Sequence, residues 1–197
     1  YTPQYTDLQK LYEEYKNELV VIGVPTNNFK QEPKNNSEIE KEVNQMIKIV
    51  FSKKLELIYG GADIGLMGQI SNNLIDLGGR VTGVIPKVLS KKEIINKNIS
   101  ELIIVEDMHE RKKTMYDLSD AFIILPGGIG TLEEFAEVVT WKVLGIQNKK
   151  IFLINIGGYY DFLLKQFSVM KENNFLYTDI FQDIIIINKI EELKKHL

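Results

Sequence analysis

Short apolar segments rich in valine and isoleucine alternate along the chain with longer segments of mixed polarity. They are apolar throughout rather than alternating with polar residues, which is typical of parallel strands buried on both faces. The pattern therefore predicts a mostly parallel sheet of about seven strands. These are Leu19–Val24, Leu55–Tyr59, Arg80–Ile85, Leu102–Val105, Ala121–Leu125, Ile151–Asn155 and Ile184–Ile187.

Helical patterns lie between and beyond the predicted strands. Ser37–Lys53 and Thr131–Leu144 each place their apolar residues on one face at helical spacing. Thr6–Asn17, which opens with a capping-box spacing, and Asn188–Leu197 are two further predicted helices. The alternation predicts one α/β domain over residues 1–197, with a Rossmann-like, doubly wound sheet and helices on both faces. In such a fold, ligands bind at the carboxyl ends of the strands.

Composition narrows the functional classes. The 197 residues contain no cysteine, which excludes disulfides, zinc-thiolate sites and any cysteine nucleophile. The net charge of −3 argues against a nucleic-acid partner. No apolar run approaches the roughly 18 residues that cross a membrane. Because the first ten residues are polar and lack a signal-peptide core, we expect a cytoplasmic protein.

A glycine-rich turn follows the second predicted strand and precedes a predicted helix. Gly60 and Gly61 open this turn, and Gly65 and Gly68 follow. Glycines allow backbone N–H groups to approach a ligand, and the start of a helix attracts anions. A tight turn without any ligand explains the same glycines equally well, so this segment alone leaves both interpretations open.

A second glycine turn, Pro126–Thr131, follows the fifth predicted strand. Its small residues and the threonine hydroxyl suit a phosphate group. Glu133 and Glu134 follow in the first turn of the helix, where a carboxylate also stabilises the helix dipole without any catalytic role. A third turn, Gly157–Tyr159, offers no acid or base beyond Asp161. We interpret this third turn as structural and leave it out of the site.

A basic segment, Met108–Lys113, follows the fourth predicted strand. Arg111 is suited to binding a phosphate through two hydrogen bonds, although an exposed arginine often has no partner. His109 lies beside a predicted helix start, where a histidine usually makes structural hydrogen bonds. Arg111 is therefore the candidate functional residue of this segment.

The order of these motifs resembles one family. Pro126-Gly127-Gly128-x-Gly130-Thr131-x-x-Glu134, with Met108-His109-x-Arg111-Lys112 upstream, is similar to the LOG family, whose members were once labelled lysine decarboxylases. The resemblance runs from about Val43 to the C-terminus and includes Tyr59–Gly68 and Val84–Pro86. It implies a Rossmann-like, usually dimeric cytokinin riboside 5'-monophosphate phosphoribohydrolase.

The resemblance also implies roles for individual residues. Arg111 and Glu134 occupy the positions of the catalytic pair, 23 residues apart. Ala62 stands where the family pattern has a third glycine, and its methyl group is expected to crowd the ligand. Neither a metal nor a cofactor is implied. The substrate-binding positions are Gly60, Gly61, Glu93, Met108, Lys112, Gly127, Gly128, Ile129, Gly130, Thr131, Glu133 and Thr140.

The first residues resemble a different family. Tyr1–Val24 and Gln31–Ile39 are similar to part of a glutathione peroxidase that lacks the catalytic cysteine. We therefore expect a peroxidase-like segment, residues 1–42, that supplies the first helix and strand. Residues 43–197 form the LOG-like nucleotide-binding and catalytic region, and the two join between Ser37 and Asn44.

The resemblance implies a hydrolase of cytokinin biosynthesis. It cleaves the N-glycosidic bond of a purine or cytokinin nucleoside 5'-monophosphate and releases free base and ribose 5-phosphate. Glu134 supplies the carboxylate beside the ribose, while Arg111 either pairs with the phosphate or fixes the substrate against Glu134. A nucleotide-binding protein without catalysis and a poorly folding fusion product are the two alternatives, because the N-terminal segment is foreign to the family.

Overall fold

The computed structural model describes residues 21–24, 37–90, 95–176 and 178–197. The strands are β1 (Val21–Val24), β2 (Glu56–Tyr59), β3 (Val81–Pro86), β4 (Glu101–Val105), β5 (Ala121–Ile124), β6 (Lys150–Ile154) and β7 (Ile185–Ile187). The helices are α1 (Ser37–Ser52), α2 (Gly65–Asp76), α3 (Lys87–Ser90), α4 (Met108–Leu118), α5 (Ile129–Val143), α6 (Asp161–Glu172) and α7 (Ile180–Asp183). Ile156–Gly158 and Ile190–Lys195 form short 3-10 helices.

The sheet is parallel in every strand pair of the described residues. Its order, β4-β3-β2-β1-β5-β6-β7, reverses direction at β1. In doubly wound sheets, the ligand crevice lies at the carboxyl ends of the strands where the order reverses. Strands β2 and β5 flank β1, so the turns that follow them border the expected crevice.

The α/β class with a parallel sheet is confirmed, and within the described residues the strands lie in two groups of three on either side of β1. Strands β2 to β4 form one three-stranded half and β5 to β7 form the other. Between them lies the four-residue backbone segment β1, which pairs with β5 at just two positions. The two groups of three strands are thus joined through β1, which pairs with β2 at four positions and with β5 at two.

Helices cover both faces of the sheet, because successive residues of a strand point to opposite sides. On one face, Leu57 and Tyr59 are buried in a cluster with residues of α1 and α2. On the other face, Ile58 packs in a cluster with Met115 of α4, and Phe122 in a cluster with residues of α5. The predicted helices on both faces are thus confirmed.

The observed bounds of β2 to β7, α1 and α5 lie within two residues of the predicted ones. The C-terminal segment is a correction: the predicted helix is the 3-10 helix Ile190–Lys195, a form that suits such short segments. The predicted helix Thr6–Asn17 and the first two residues of the first predicted strand lie outside the described residues. Within the described ranges, no helix is long and apolar enough to cross a membrane.

Candidate active site

The glycine turn after β2 makes room for an arginine from another element. A Cβ atom at Gly60 would lie 2.0 Å from Nη2 of Arg111, which is closer than non-bonded atoms approach. Gly61, the next residue, has a positive φ of 75°, which glycine adopts without strain. The predicted site residues Gly60 and Gly61 are thus both buried, Gly60 against the Arg111 side chain and Gly61 against Ile85.

Arg111 is a buried residue of α4. The helix is capped by Asp107, whose carboxylate accepts hydrogen bonds from the backbone N–H groups of His109 and Glu110. The Arg111 side chain is 3% exposed. Its Nε donates to the Val84 carbonyl oxygen at 3.1 Å, and its Nη1 donates to Oε1 of Glu134 at 3.3 Å. Two elements besides α4 therefore hold the guanidinium group in place.

Glu134 lies in the second turn of α5, where its side chain is 10% exposed. Burial raises the pKa of this carboxyl group from 4.5 to about 7. Arg111 opposes the shift through its positive charge, while the carboxylates of Glu133 and Glu137 reinforce it. The structure therefore brings Arg111 and Glu134 into one buried ion pair whose carboxyl group titrates near neutral pH.

Lys112, with Glu133 and Glu137, forms a second cluster of charged side chains next to this ion pair. Its Nζ donates to Oε1 of Glu133 and, at 3.2 Å, to Oε1 of Glu137. Burial alone would lower the pKa of Lys112, but the two carboxylates outweigh it and raise the pKa. The sequence predicted Lys112 and Glu133 but missed Glu137, which lies three residues after Glu134 on the same side of α5.

The glycine loop between β5 and α5 packs tightly on itself. A Cβ atom at Gly127 would lie 2.1 Å from Oγ1 of Thr131, whose side chain is buried. Gly128 is the N-cap of α5 and, as a glycine, offers no side-chain acceptor to the first N–H groups of the helix. Ile129 points outward and is 82% exposed. The start of α5, with Gly130 in its first turn, thus presents backbone N–H groups at the edge where β5 ends.

The turn between β6 and α6, which the sequence analysis interprets as structural, contacts this loop. The hydroxyl group of Tyr159 donates to the Gly127 carbonyl oxygen at 2.8 Å. Because β5 and β6 are adjacent parallel strands, their carboxyl ends meet at one edge of the sheet. A tyrosine directly after a glycine pair at that edge is the sequence signal that would have placed Tyr159 at the site.

Other predicted site residues differ in how the structure places them. Met108 begins α4 and is half-buried, one turn before Arg111. Thr140 is exposed, and its hydroxyl donates to the Ala136 carbonyl oxygen within α5. It lies six residues, or about 9 Å along the helix, from Glu134, and the structure does not bring it to the ion pair. Glu93 lies outside the described residues.

Ala62, the departure from the family pattern, lies in the hydrophobic core. Its side chain is 3% exposed and belongs to the cluster beside α1 and α2. Its backbone forms an isolated antiparallel bridge with Ile95. The methyl group therefore packs against apolar side chains of the core.

An apolar cleft lies between α4 and α5 next to the ion pair. It is narrow, with a cavity volume of about 30 Å³. Glu134, Lys112 and Glu137 contribute its charged groups. Among the described residues, no group of three or more histidine, aspartate or glutamate side chains is placed to hold a metal ion. The apolar lining consists of Met115, Tyr116, Phe122, Ile124, Val138 and Trp141.

Two family models match this chain in different places. The model of the family described as possible lysine decarboxylase matches residues 67–197. The model of the glutathione peroxidase family matches residues 1–60. The second match extends beyond the predicted peroxidase-like segment and includes β1, α1 and β2.

Named relatives share the longer of the two regions. A protein of Oryza sativa subsp. japonica, named a probable cytokinin riboside 5'-monophosphate phosphoribohydrolase, is 44% identical over 153 residues, which are 78% of this chain and 69% of that protein. A protein of Arabidopsis thaliana, named a cytokinin riboside 5'-monophosphate phosphoribohydrolase, is 46% identical over 145 residues, which are 74% of this chain and 67% of that protein. Because this chain ends at residue 197, the longer match begins at residue 45 or earlier.

Solved structures share the fold at lower sequence identity. The molybdenum cofactor binding protein of Rippkaea orientalis has a TM-score of 0.65 and 21% identity, covering 91% of this chain and 98% of its own. The molybdenum cofactor carrier protein of Chlamydomonas reinhardtii has a TM-score of 0.61 and 15% identity, covering 90% of this chain and 94% of its own. At these identities the similarity concerns the fold alone.

Proposed function

Because the chain belongs to the LOG family of cytokinin riboside 5'-monophosphate phosphoribohydrolases, we propose that it hydrolyses the N-glycosidic bond of a purine-type nucleoside 5'-monophosphate. The products are the free base and ribose 5-phosphate, and water is the nucleophile. The main support for this proposal within the chain itself is the buried ion pair of Arg111 and Glu134, which lies beside the glycine loop.

Glu134 has the chemistry that this reaction needs. An N-glycosidic bond breaks through a sugar with oxocarbenium character, whose positive charge a nearby carboxylate stabilises. The same carboxylate orients or deprotonates the attacking water, a role for which a pKa near the working pH is the most effective. The pKa of about 7 for Glu134 meets that condition.

The glycine loop supplies the binding site for the 5'-phosphate. The backbone N–H groups of Gly128 to Thr131 lie at the start of α5, where the helix dipole favours an anion. Arg111 is the alternative phosphate ligand, but its contacts with Val84 and Glu134 favour a role beside the ribose. The loop therefore holds the phosphate, while Arg111 keeps Glu134 and the sugar aligned.

The active form is a homodimer built around α5. Ile129, Ala136, Thr140 and Leu144 follow one another along one exposed stripe of this helix. Such a stripe of apolar and small residues suits a second copy of the chain, since monomeric proteins rarely expose an extended apolar surface. The stripe passes beside Glu133 and Lys112, so the interface borders the site.

The competing function is nucleotide binding without turnover. The specific observation in its favour is that the glutathione peroxidase model matches residues 1–60. This region contains β1, the strand at which the sheet order reverses. A foreign turn after β1 would leave the glycine loop and the ion pair intact while misplacing the base.

The test compares base release with binding. Purified protein is incubated with AMP and with isopentenyladenosine 5'-monophosphate, and free base is quantified by chromatography, with Glu134→Gln as the control. Release of base that the substitution abolishes supports the hydrolase. No release from either nucleotide, with AMP still raising the melting temperature, supports the nucleotide-binding alternative.

A further inference from the structure

Two adjacent tyrosines connect the turn after β6 with the glycine loop after β5. The Tyr159 hydroxyl donates to the Gly127 carbonyl oxygen at 2.8 Å. The Tyr160 hydroxyl donates to the Leu125 carbonyl oxygen at 2.5 Å and lies near the Gly127 N–H. Neither side chain has a part in the proposed chemistry at Glu134. Tyr160 is bonded to the carbonyl at the end of β5, whereas Tyr159 contacts a carbonyl of the loop that the substrate phosphate would occupy.

The turn that carries the tyrosines is itself fixed. Asn155, 5% exposed at the end of β6, accepts a hydrogen bond from the Tyr160 N–H at 2.7 Å and donates one to Asp161 at 2.9 Å. The turn contains two glycines with φ angles of 61° and 72°, a conformation that other residues rarely adopt. The rings of Tyr159 and Tyr160 pack edge to face at 4.9 Å. Tyr159 therefore reaches the loop from a rigid support.

The contact restrains one peptide group. In a planar trans peptide, the carbonyl oxygen and the following N–H point in opposite directions. When Tyr159 holds the Gly127 oxygen on its own side, the Gly128 N–H points to the other side of the loop. Glycine has little conformational restraint of its own, so without this hydrogen bond the Gly127–Gly128 peptide is free to rotate. A rotated peptide would present a carbonyl oxygen, which repels an anion, in place of a donor.

We propose that Tyr159 is a positioning residue for recognition of the phosphate monoester. It acts through the Gly127 carbonyl oxygen and keeps the Gly128 N–H directed at the phosphate. The inference rests on the proposed function and adds to the site a residue of the turn after β6. Tyr159 is half-exposed at the edge of the site, so its hydroxyl is removable without opening a cavity in the core.

The test is Tyr159→Phe, which removes the hydroxyl and keeps the ring. The KM for AMP and the inhibition constant for ribose 5-phosphate are measured together with kcat and the melting temperature. Both constants are expected to rise by about fivefold, the factor that corresponds to one net hydrogen bond, while kcat stays within about twofold. A residue that served stability alone would lower the melting temperature without moving the inhibition constant.

Tyr160→Phe is the matched control. Its hydroxyl contacts the Leu125 carbonyl and lies near the Gly127 N–H, which belong to the two peptide groups before the Gly127–Gly128 peptide. Its loss leaves the Tyr159 contact in place. We expect a lower melting temperature, because a buried carbonyl loses its donor, and an inhibition constant for ribose 5-phosphate close to that of the wild type.

Two results would overturn the proposal while the proposed function stands. One is a wild-type inhibition constant in Tyr159→Phe, and the other is an equal rise of that constant in both variants. A wild-type protein that neither cleaves AMP nor binds it in calorimetry overturns the proposed function as well. Because that outcome is seen in the wild type alone, it is distinguishable from a failure of the role assigned to Tyr159.

Discussion

Burial makes Glu134 a carboxyl group that changes its protonation near neutral pH. Desolvation raises its pKa to about 7, even though the guanidinium group of Arg111 is 3.3 Å away. The negative charges of Glu133 and Glu137 on the same helix act in the same direction as burial. Under the proposed function, both the rate of hydrolysis and the stability of the fold should therefore depend on the protonation of Glu134.

The rate of hydrolysis should rise with pH through about 7. In the proposed mechanism the ionised form of Glu134 stabilises the sugar cation and activates water, so protonation below its pKa would remove the active form. The measurement is kcat/KM for AMP between pH 5 and 9, which reports the free enzyme. A rate that falls as pH rises through 7 would assign Glu134 as a proton donor instead.

The stability of the fold should fall over the same pH range. The folded pKa of Glu134 lies above its usual value of 4.5, so between pH 4.5 and about 7 the folded state binds more protons than the unfolded state. The stabilising contribution is complete below pH 4.5 and is lost as pH rises through 7, for a total of about 3 kcal/mol. Glu134→Gln, which does not titrate, provides the reference for the free energy of unfolding from denaturant titrations at each pH. A constant difference between the two proteins across this range would contradict the raised pKa.

Sequence patterns located the charged residues of the site but not its supporting contacts. Arg111 and Glu134 were predicted as a pair, and the structure brings them together because each follows a strand that ends at the same edge of the sheet. The contacts of Glu137 with Lys112 and of Tyr159 with the Gly127 carbonyl were not predicted, since each joins residues of two different elements. Thr140 was predicted at the site but lies on the exposed side of α5.

At the scale of elements, α4, α5 and the turn after β2 meet around one guanidinium group. Gly60 leaves the space that Arg111 fills, and the Val84 carbonyl at β3 accepts from its Nε. The sequence predicted α5 from its helical spacing, the turn after β2 from its glycines, and a basic segment with a helix start where α4 begins. The close approach of the Gly60 backbone to Arg111 was not predicted, because it depends on the twist and spacing of strands that are distant in sequence.

Gly60→Ala should disable the site without unfolding the protein. The new Cβ atom would lie 2.0 Å from Nη2 of Arg111, so the guanidinium group must move away from Glu134. A misplacement of about 1 Å costs up to about a hundredfold in rate, and kcat/KM for AMP should fall accordingly.

Gly79→Ala is the control for Gly60→Ala. A Cβ atom at position 79 would be similarly crowded, 2.5 Å from Cδ1 of Leu74. Gly79, however, precedes β3 and lies at the opposite edge of the sheet from the site. We expect a lower melting temperature and a kcat/KM close to that of the wild type. Equal loss of activity in both variants would show that crowding of any glycine, rather than displacement of Arg111, is responsible.

At the scale of the whole molecule, the exposed stripe of α5 predicts self-association. Leu144 is 62% exposed at the end of this stripe. Leu144→Asp would place a charge in the interface, where it lacks a partner, and should convert a dimer into a monomer in sedimentation analysis. Val88→Asp is the control, since Val88 is 64% exposed on α3, away from α5. A wild-type protein that sediments as a monomer would contradict the dimer.

The architecture of the molecule was predictable because its main signal is local. Continuous apolar strands that alternate with amphipathic helices permit few arrangements other than a parallel sheet with helices on both faces. The division into two three-stranded halves was not predictable, since the strand Val21–Val24 that joins them pairs with β5 at two positions only. Its apolar sequence resembles that of the other strands and does not reveal how many positions pair with each neighbour.

The most direct test of the central claim is an inventory of the products formed from AMP. Wild-type protein should release adenine and ribose 5-phosphate in equal amounts, and Glu134→Gln should release them at least about a hundredfold more slowly. Adenosine and inorganic phosphate as products would show cleavage of the phosphate ester and would contradict the account, as would equal rates of adenine release by the two proteins.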